Sequence, residues 1–425
     1  MPVKGIHSAL IAALCGLGAV VTGGGVAFAD VLAQKPAVID RQLPGSTADS
    51  VVELARRLNP TVAAAALEFD AAIHKIGAAG VLSDPTLILE AWDVNRQGVA
   101  QRRVGIEQDI KLGGKYELER GIARAEADAA KFQGRAVVTE LIARVFAAHG
   151  EYNAAYEAVG ISQEIKRRFD EILNLLRSRY GTASVDQQDV IKAEIEAAAA
   201  EGDLVRRQGE MKSAAARLNA LIGRQPLAPL ARPSGFHALK ATTLAQTLTR
   251  ARKANPLLAL AIAQLDVAER TKALTDLNYV PDLTLGAKYV QRPRVADTGE
   301  FLVGIKLPLQ YEAKNAEQRA ATARLSATQA RGEAIRLRIE GEIADTWFTL
   351  DALRKVVQIY EARQLPPSRS SVENARNGFQ TGSIDLSLVF EAERRLRTVQ
   401  LELLKLRVEL QTKYAEMERL AGGSP

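Results

Sequence analysis

Bond-making chemistry and tight metal binding need a few residue types brought close together, and this sequence keeps them apart. Its four histidines, His7, His74, His149 and His237, stand at no interval that would converge on one ion, and its single cysteine is Cys15. Gly113-Gly114 lacks the pattern of a phosphate loop, and no nucleophile elbow is present. These readings predict a protein that is not an enzyme, with no metal site and no cofactor. The residues that stand out lie in two short breaks, YGTASVD at 180–186 and FQTGSID at 379–385, which begin 199 residues apart. Each interrupts a long, polar, alanine-rich stretch that reads as helix. Gly181 and Gly382 tolerate turn geometry, and Ser184 and Ser383 are candidate caps of the helix that follows. Asp186 and Asp385 fall in its first turn, near the positive end of the helix dipole. Such turns either end one helix and begin the next, or also present a docking surface.

The chain around them is exported. Lys4, an apolar run over 8–21 and the small-residue site Ala27-Phe28-Ala29 predict a cleaved signal at 1–29. Without it the chain has no cysteine, so packing or assembly must supply its stability. Loss of Lys4 takes the formal charge from +6 to +5. The basic residues alternate with acidic ones along helices, which argues against nucleic acid as a partner. Hydrophobic residues make up 47% of the sequence but aromatic ones only 5%, because much of the apolar share is alanine.

The sequence is a duplication. ARRLNPTVAAAALEFDAA (55–72) resembles ARKANPLLALAIAQLDVA (251–268), with Asn59-Pro60 and Asn255-Pro256 at an offset of 196. Pro85 and Pro281 share that offset. VGIEQDI (104–110) and VGIKLPL (303–309) match at 199, as do the two breaks and Leu221-Ile-Gly223 with Leu420-Ala-Gly422. The expected layout is an extension at 30–49, a first repeat at 50–223, a connector at 224–243, a second repeat at 244–422 and a tail at 423–425.

Each repeat opens with an amphipathic helix, about 50–82 and 244–278, in which Pro60 and Pro256 mark a break or a fresh first turn. Period-2 patterns then predict a hairpin: 86–94 with 104–110, and 282–289 with 301–309, joined by the polar loops NRQGVAQ and QRPRVADTGE. A long helix follows, about 116–177 and 315–376, kinked in the second copy by Pro366-Pro367. Some 60 residues span about 90 Å, too long for a compact domain of this size to cover. The returning helix carries a 3-4-3-4 apolar seam: Val389, Ala392, Leu396, Val399, Leu403, Leu406, Leu410, Met417 and Leu420. The same seam lies 199 residues earlier, from Val190 to Leu221. The breaks are therefore turns at the far tip of a long coiled-coil hairpin.

Four strands cannot close a barrel, and a lone hairpin is marginal. Alternating strands of about ten residues suit an outer-membrane barrel, which three chains would close with twelve strands. Trp92 and Tyr289 are candidates for its aromatic girdle or for buried structural positions. The helices are too charged to cross lipid, so they would form a periplasmic cylinder. An exported coiled-coil rod or scaffold is the rival from another class, but it has no use for paired alternating strands.

With the duplication and both breaks in view, the chain resembles the TolC-type outer-membrane efflux family. The segment IEQDIKLGGKYELERGIARAEADAA (106–130) resembles more specifically the branch serving heavy-metal cation pumps of the resistance–nodulation–division class, of the cobalt–zinc–cadmium type. That branch carries a Q-x-hydrophobic-x-x-G-G-K segment, met here by Gln108, Ile110, Gly113, Gly114 and Lys115; the second copy keeps Lys314 without the glycines. The resemblance implies a mainly α fold with a small β part, a homotrimer, a twelve-stranded barrel and a helical tunnel. It implies an outer-membrane channel whose tips dock a periplasmic adaptor linked to an inner-membrane pump. The tip residues carried over are Tyr180, Gly181, Ala183, Ser184 and Asp189 in the first copy, and Phe379, Gly382, Ser383 and Asp385 in the second. Ala183 stands where family members often have glycine. The family narrows its tunnel mouth with acids at the start of the returning helices; Asp186, Asp189, Asp385 and Glu391 occupy such places here. A protein-secretion or drug-efflux duct is the alternative within the same class.

Overall fold

The structure, a computed structural model, describes residues 43–95, 98–182, 185–237, 239–240, 242–292 and 296–423. The expected signal with Cys15, most of the 30–49 extension, and the tip residues Ala183 and Ser184 lie outside the described residues. Element order repeats. The first copy contains α1 (Ala48–Leu58), α2 (Pro60–Ala78), β1 (Thr86–Asn95), β2 (Gly98–Ile110), α3 (Lys115–Tyr180) and α4 (Gln187–Ile222). The second contains α5 (Leu244–Ala254), α6 (Pro256–Asp276), β3 (Asp282–Gln291), β4 (Thr298–Lys306), α7 (Tyr311–Ile359), α8 (Leu365–Gln380) and α9 (Leu386–Leu420). Among the described residues, no helix is long and apolar enough to cross a membrane.

The opening helix of each copy is two helices, broken where Asn-Pro stands. Pro60 and Pro256 take the first helical position, where the missing amide costs nothing. Asn59 and Asn255 do two jobs. Each side-chain oxygen caps its new helix, accepting from Thr61 N (2.8 Å) and Leu257 N (2.8 Å). Each side-chain amide donates to a carbonyl near the end of the returning helix, Asn59 to Leu221 (2.7 Å) and Asn255 to Leu420 (2.6 Å). The duplicated Asn-Pro and Leu-x-Gly motifs therefore meet in space.

The strands differ from expectation at their ends. β2 begins at Gly98 and β4 at Thr298, so both hairpin loops are shorter than their polar sequences suggest. β4 ends at Lys306 rather than Leu309. It pairs with β3, whose first residue, Asp282, sits opposite Lys306, and Leu307–Leu309 run past that partner. The two hairpins form one antiparallel sheet in the order β1-β2-β3-β4, with β1 and β4 at its edges.

α3 is one unbroken helix of 66 residues, about 100 Å long. Its counterpart is interrupted. Pro366 and Pro367 cannot donate, and in a regular helix the first would press on the carbonyl of Ala362. The chain widens into a π-helical turn at Tyr360–Gln364, in which Leu365 N donates to Tyr360 O, and α8 then continues to the tip.

The coiled-coil seam is buried at Ala193, Ala197 and Ala200 in α4 and at Val389, Ala392, Leu396, Val399 and Leu403 in α9. The seam closes again at Ala214 and Leu218 in α4 and at Met417 and Leu420 in α9, with a looser stretch between. Leu406 and Leu410 are only half buried, and Leu404, Gln411, Tyr414 and Glu418 form a further buried face on α9. Toward the tip all four long helices share one core, including Phe169, Leu176, Ala197, Val372 and Phe390. Phe169 meets Phe390 edge-on at 5.6 Å. Farther up, Val51 and Ala55 of α1 pack with Val145, Leu218 and Ile222. The connector is coil fastened to the chain before α1: Ala231 N donates to Pro44 O (2.9 Å) and Ser234 N to Ser46 O (2.8 Å). His149, buried in mid-α3, packs there, its Nε2 3.1 Å from Gly45 O.

Replacing Asn255 by alanine removes a cap and strands the Leu420 carbonyl in a buried place. The expected loss is about 1–3 kcal/mol, read as a lower unfolding midpoint of the purified protein; Asn255→Asp, which keeps the cap but not the amide donor, falls between.

Candidate functional site

The residues that the sequence singles out fall in two regions, the sheet and the helix tips. Cross-strand partners share a face, so the register sorts every strand residue. One face carries Leu87, Leu89, Val104, Ile106, Phe301 and Val303 among others, all exposed; Leu89 is 71% and Phe301 89% exposed. The opposite face carries an ion-pair network. Lys288 Nζ lies 2.9 Å from Glu90 and 3.3 Å from Glu107, and Arg103 Nη1 lies 3.9 Å from Glu90 and 3.8 Å from Glu300. Lys288 crosses directly over Gly105, where a Cβ would stand 2.4 Å from its Cγ. Trp92 also lies on this charged face, its indole donating to Glu90 (3.2 Å) under the Arg103 guanidinium, 4.9 Å from the ring centroid. Only Tyr289 of the two aromatic candidates is on the apolar face, where its hydroxyl bonds Asp297. A sheet with an exposed apolar face and a charged face suits lipid on one side and water on the other.

The join between sheet and helices is made by the Gly-Gly-Lys segment. Gly113 and Gly114 both have positive φ, +74° and +83°, which lets the chain turn from β2 into α3. Lys115 is then buried, and its Nζ donates to Val280 O (2.8 Å) and to Asp282 Oδ1 (2.7 Å). A residue of the first copy thus clasps the first residue of β3 in the second. Lys314, its counterpart, has Glu317 of its own helix at 3.9 Å.

At the tips the two turns are built differently. Gly382 has φ +75°, and past it Ser383 N bonds back to Gly378 O (2.8 Å), an αL helix end. Ile384 folds against Gly378, where a Cβ would stand 2.5 Å from Ile384 Cδ1. Gly181 has φ −60° and ψ −19°, ordinary helical angles, so the first turn does not need a glycine there. Ser383 does not cap the returning helix either. Its hydroxyl donates to Gly378 O (3.0 Å), closing the outgoing one. The N-cap residues are Asp385, whose carboxylate accepts from Ser387 N (2.7 Å), and Asp186, one place outside the first turn.

Both tips come to the same end of the molecule. Arg179 donates to Gln380 O (3.4 Å) and lies over the Phe379 ring at 5.7 Å. Tyr180 is exposed, whereas Phe379 packs against the shared core. Asp189 pairs with Lys192 at 3.2 Å. Hydrogen bonds from Ser387 hold the Asp385 carboxyl below the usual range, and Lys192 adds to this across the copies. Glu391 is exposed one turn further along α9. The structure thus brings Asp189 and Asp385 near one lysine, while Asp186 and Glu391 are set by their own helices. Sequence reasoning missed Glu393, buried two residues beyond Glu391 and 3.1 Å from Arg168 of α3. Acidic residues alternating with basic ones along a helix read as a solvated face. Glu393 and Glu418, the latter 2.7 Å from Arg250, instead sit inside with arginines more than 160 residues away.

A family described as outer membrane efflux protein matches residues 51–224 and 247–423, both copies of the unit. The chain belongs to that family. This outer membrane efflux protein is 25% identical over 408 residues to the cobalt-zinc-cadmium resistance protein CzcC of Cupriavidus metallidurans, spanning 93% of the present chain and 95% of CzcC. Its fold is that of CusC (TM-score 0.76, 17% identity, 92% of this chain and 96% of CusC). It is also that of VceC from Vibrio cholerae (0.74, 19%, 89% and 96%) and of the open state of MtrE from Neisseria gonorrhoeae (0.76, 18%, 89% and 89%). The two-faced sheet belongs in the outer membrane and the charged helices below it.

The two tip glycines part on substitution. Gly382→Ala forces a side chain into the left-handed region, costs about 1 kcal/mol and speeds amide exchange over 379–386; Gly181→Ala leaves exchange unchanged. The Asp385 cap has a sign as well. Its folded pKa is depressed, so its stabilisation is present above the ordinary aspartate range and is lost as pH falls through the folded value. Protease nicking at the second tip is expected to be flat above about pH 5 and to rise below about pH 4, and Asp385→Asn removes that dependence.

Proposed function

We propose that this outer membrane efflux protein is the exit duct of a tripartite pump that expels heavy-metal cations, working as a homotrimer. Three four-stranded sheets close a twelve-stranded barrel with the apolar face in lipid and the Glu90–Arg103–Lys288 network toward the lumen. The long helices continue the duct into the periplasm. Their tips, through Tyr180, Gly181, Ala183, Ser184, Asp189, Phe379, Gly382, Ser383 and Asp385, dock a periplasmic adaptor that links to an inner-membrane pump of the resistance–nodulation–division class. Asp186, Asp189, Asp385 and Glu391 narrow its mouth with negative charge, which admits cations. Conduction in this subunit is passive, and the pump supplies the energy.

The observation that carries the reading is the sheet itself, exposed and apolar on one face, charged on the other, at one end of helices too polar for lipid. The cargo rests on likeness to CzcC across 93% of the chain, whose name specifies cobalt, zinc and cadmium resistance. Deleting the chromosomal copy is expected to lower tolerance of zinc, cobalt or cadmium several-fold, restored by the gene in trans, with tolerance of organic toxicants and protein export unchanged. Loss of protein export alone, or of organic-toxicant tolerance alone, would overturn the metal assignment.

A further inference from the structure

The duplication fixes more than the architecture. A residue of β1 corresponds to the one 196 later in β3, and a residue of β2 to the one 199 later in β4. This correspondence carries the pairing of the first hairpin onto that of the second: Leu87 opposite Ile106 becomes Leu283 opposite Ile305, as observed. The two hairpins are joined by β2 pairing with β3, where Ile110 faces Leu283, Gln108 faces Leu285 and Ile106 faces Ala287. Among the described residues of one chain nothing plays the matching part for β4 and β1, which are the open edges.

We propose that β4 of one chain pairs antiparallel with β1 of the next, with Leu309 opposite Leu87, Leu307 opposite Leu89 and Ile305 opposite Ala91 of the partner subunit. This rests on the homotrimer reading above and specifies how its subunits join. The register is the β2–β3 pairing carried forward by the two offsets. It was not chosen for its chemistry, yet the chemistry agrees. Ile305 shares the apolar face with Leu87 and Leu89, and Leu307 and Leu309, two and four residues on, join that face once β4 is extended through them. On the charged face it sets Lys306 opposite Glu90 of the partner subunit, adding a cation to that network, and lays the partner's Trp92 across Gly304, much as Lys288 lies across Gly105. A slip of one residue would put these leucines on the charged face. Leu307–Leu309, which run past β3, gain a partner in this register.

The helices ask for the same neighbour. α6 packs against both α3 and α7, whereas its counterpart α2 packs on α3 and has no buried residue. Ala263 of α6 is buried; Leu67, its counterpart, is 62% exposed. Phe390 of α9 is buried on α3, and its counterpart Ile191 begins an exposed seam on α4, Ile191, Ile195, Ala198, Gly202, Val205 and Gly209, at coiled-coil spacing. A second copy placed by the β4–β1 pairing brings its α7 and α8 to these faces.

Disulfide cross-linking tests the register in the full chain, exported to the outer membrane of a Gram-negative host, on a Cys15→Ser background. Under mild oxidation Ile305→Cys with Ala91→Cys is expected to give covalent oligomers on a denaturing, non-reducing gel. The yield should be roughly tenfold that of Ile305→Cys with Trp92→Cys, whose side chains leave opposite faces. Leu307→Cys with Leu89→Cys is a second pair that reports the same register should the first variant fail to fold. Cross-linking of the opposite-face pair, or of neither matched pair while a heat-sensitive oligomer still forms, overturns the register and leaves the homotrimer standing. Absence of any oligomer from the unmodified chain in outer membranes overturns both.

Discussion

Unpaired backbone at the two edges of one sheet sets the terms for this molecule. Each edge strand holds a row of amide and carbonyl groups that lipid cannot satisfy. In water such edges invite aggregation, and in a bilayer they are too costly to leave open. The apolar face nevertheless has no cover among the described residues, with leucines, valines and a phenylalanine turned outward. A sheet so built is stable only where lipid covers one face and other strands meet its edges. The charged helices and their polar turns follow from the same constraint, because everything outside that band must be content in water.

The helices meet it with small residues. Alanine at Ala193, Ala197 and Ala200 lets backbones approach closely, so slender helices share a core that a few aromatics such as Phe169 and Phe390 complete. The two copies are not equal in this. α3 runs unbroken and touches elements of both copies, whereas the α7–α8 path yields at a π-helical turn just before Pro366-Pro367. A buried cation helps to hold the sheet to this frame. Lys115 reaches from the first copy to Asp282 in the second, and Gly113 and Gly114 provide the bend that aims it.

Charge is handled differently along the length. Most ion pairs lie within one helix on its wet face, where each contributes little. Arg168–Glu393 and Arg250–Glu418 join helices and bury their carboxylates, so removing either arginine would strand a charge inside. At the tips the helix dipoles, two N-cap aspartates and Lys192 shape the local field.

Much of this was legible in the sequence because it depends on short-range pattern. Two offsets revealed the duplication, period-2 runs located four strands, heptads located the returning helices, and Asn-Pro marked real helix boundaries. The strand ends were misread because polar loops and strand termini have similar composition, and pairing, not composition, decides where a strand stops. Tip roles were misassigned for a like reason. Serine and aspartate both cap helices, and only the path of the backbone chose Asp385 for the cap and turned Ser383 back to Gly378. Local spacing alone therefore determined that the chain is a doubled strand-and-stilt unit. Which residues share a face, which glycine is needed, and which acids are buried with distant arginines were decided by tertiary structure, because each is a relation between segments far apart in the chain and no local period encodes it.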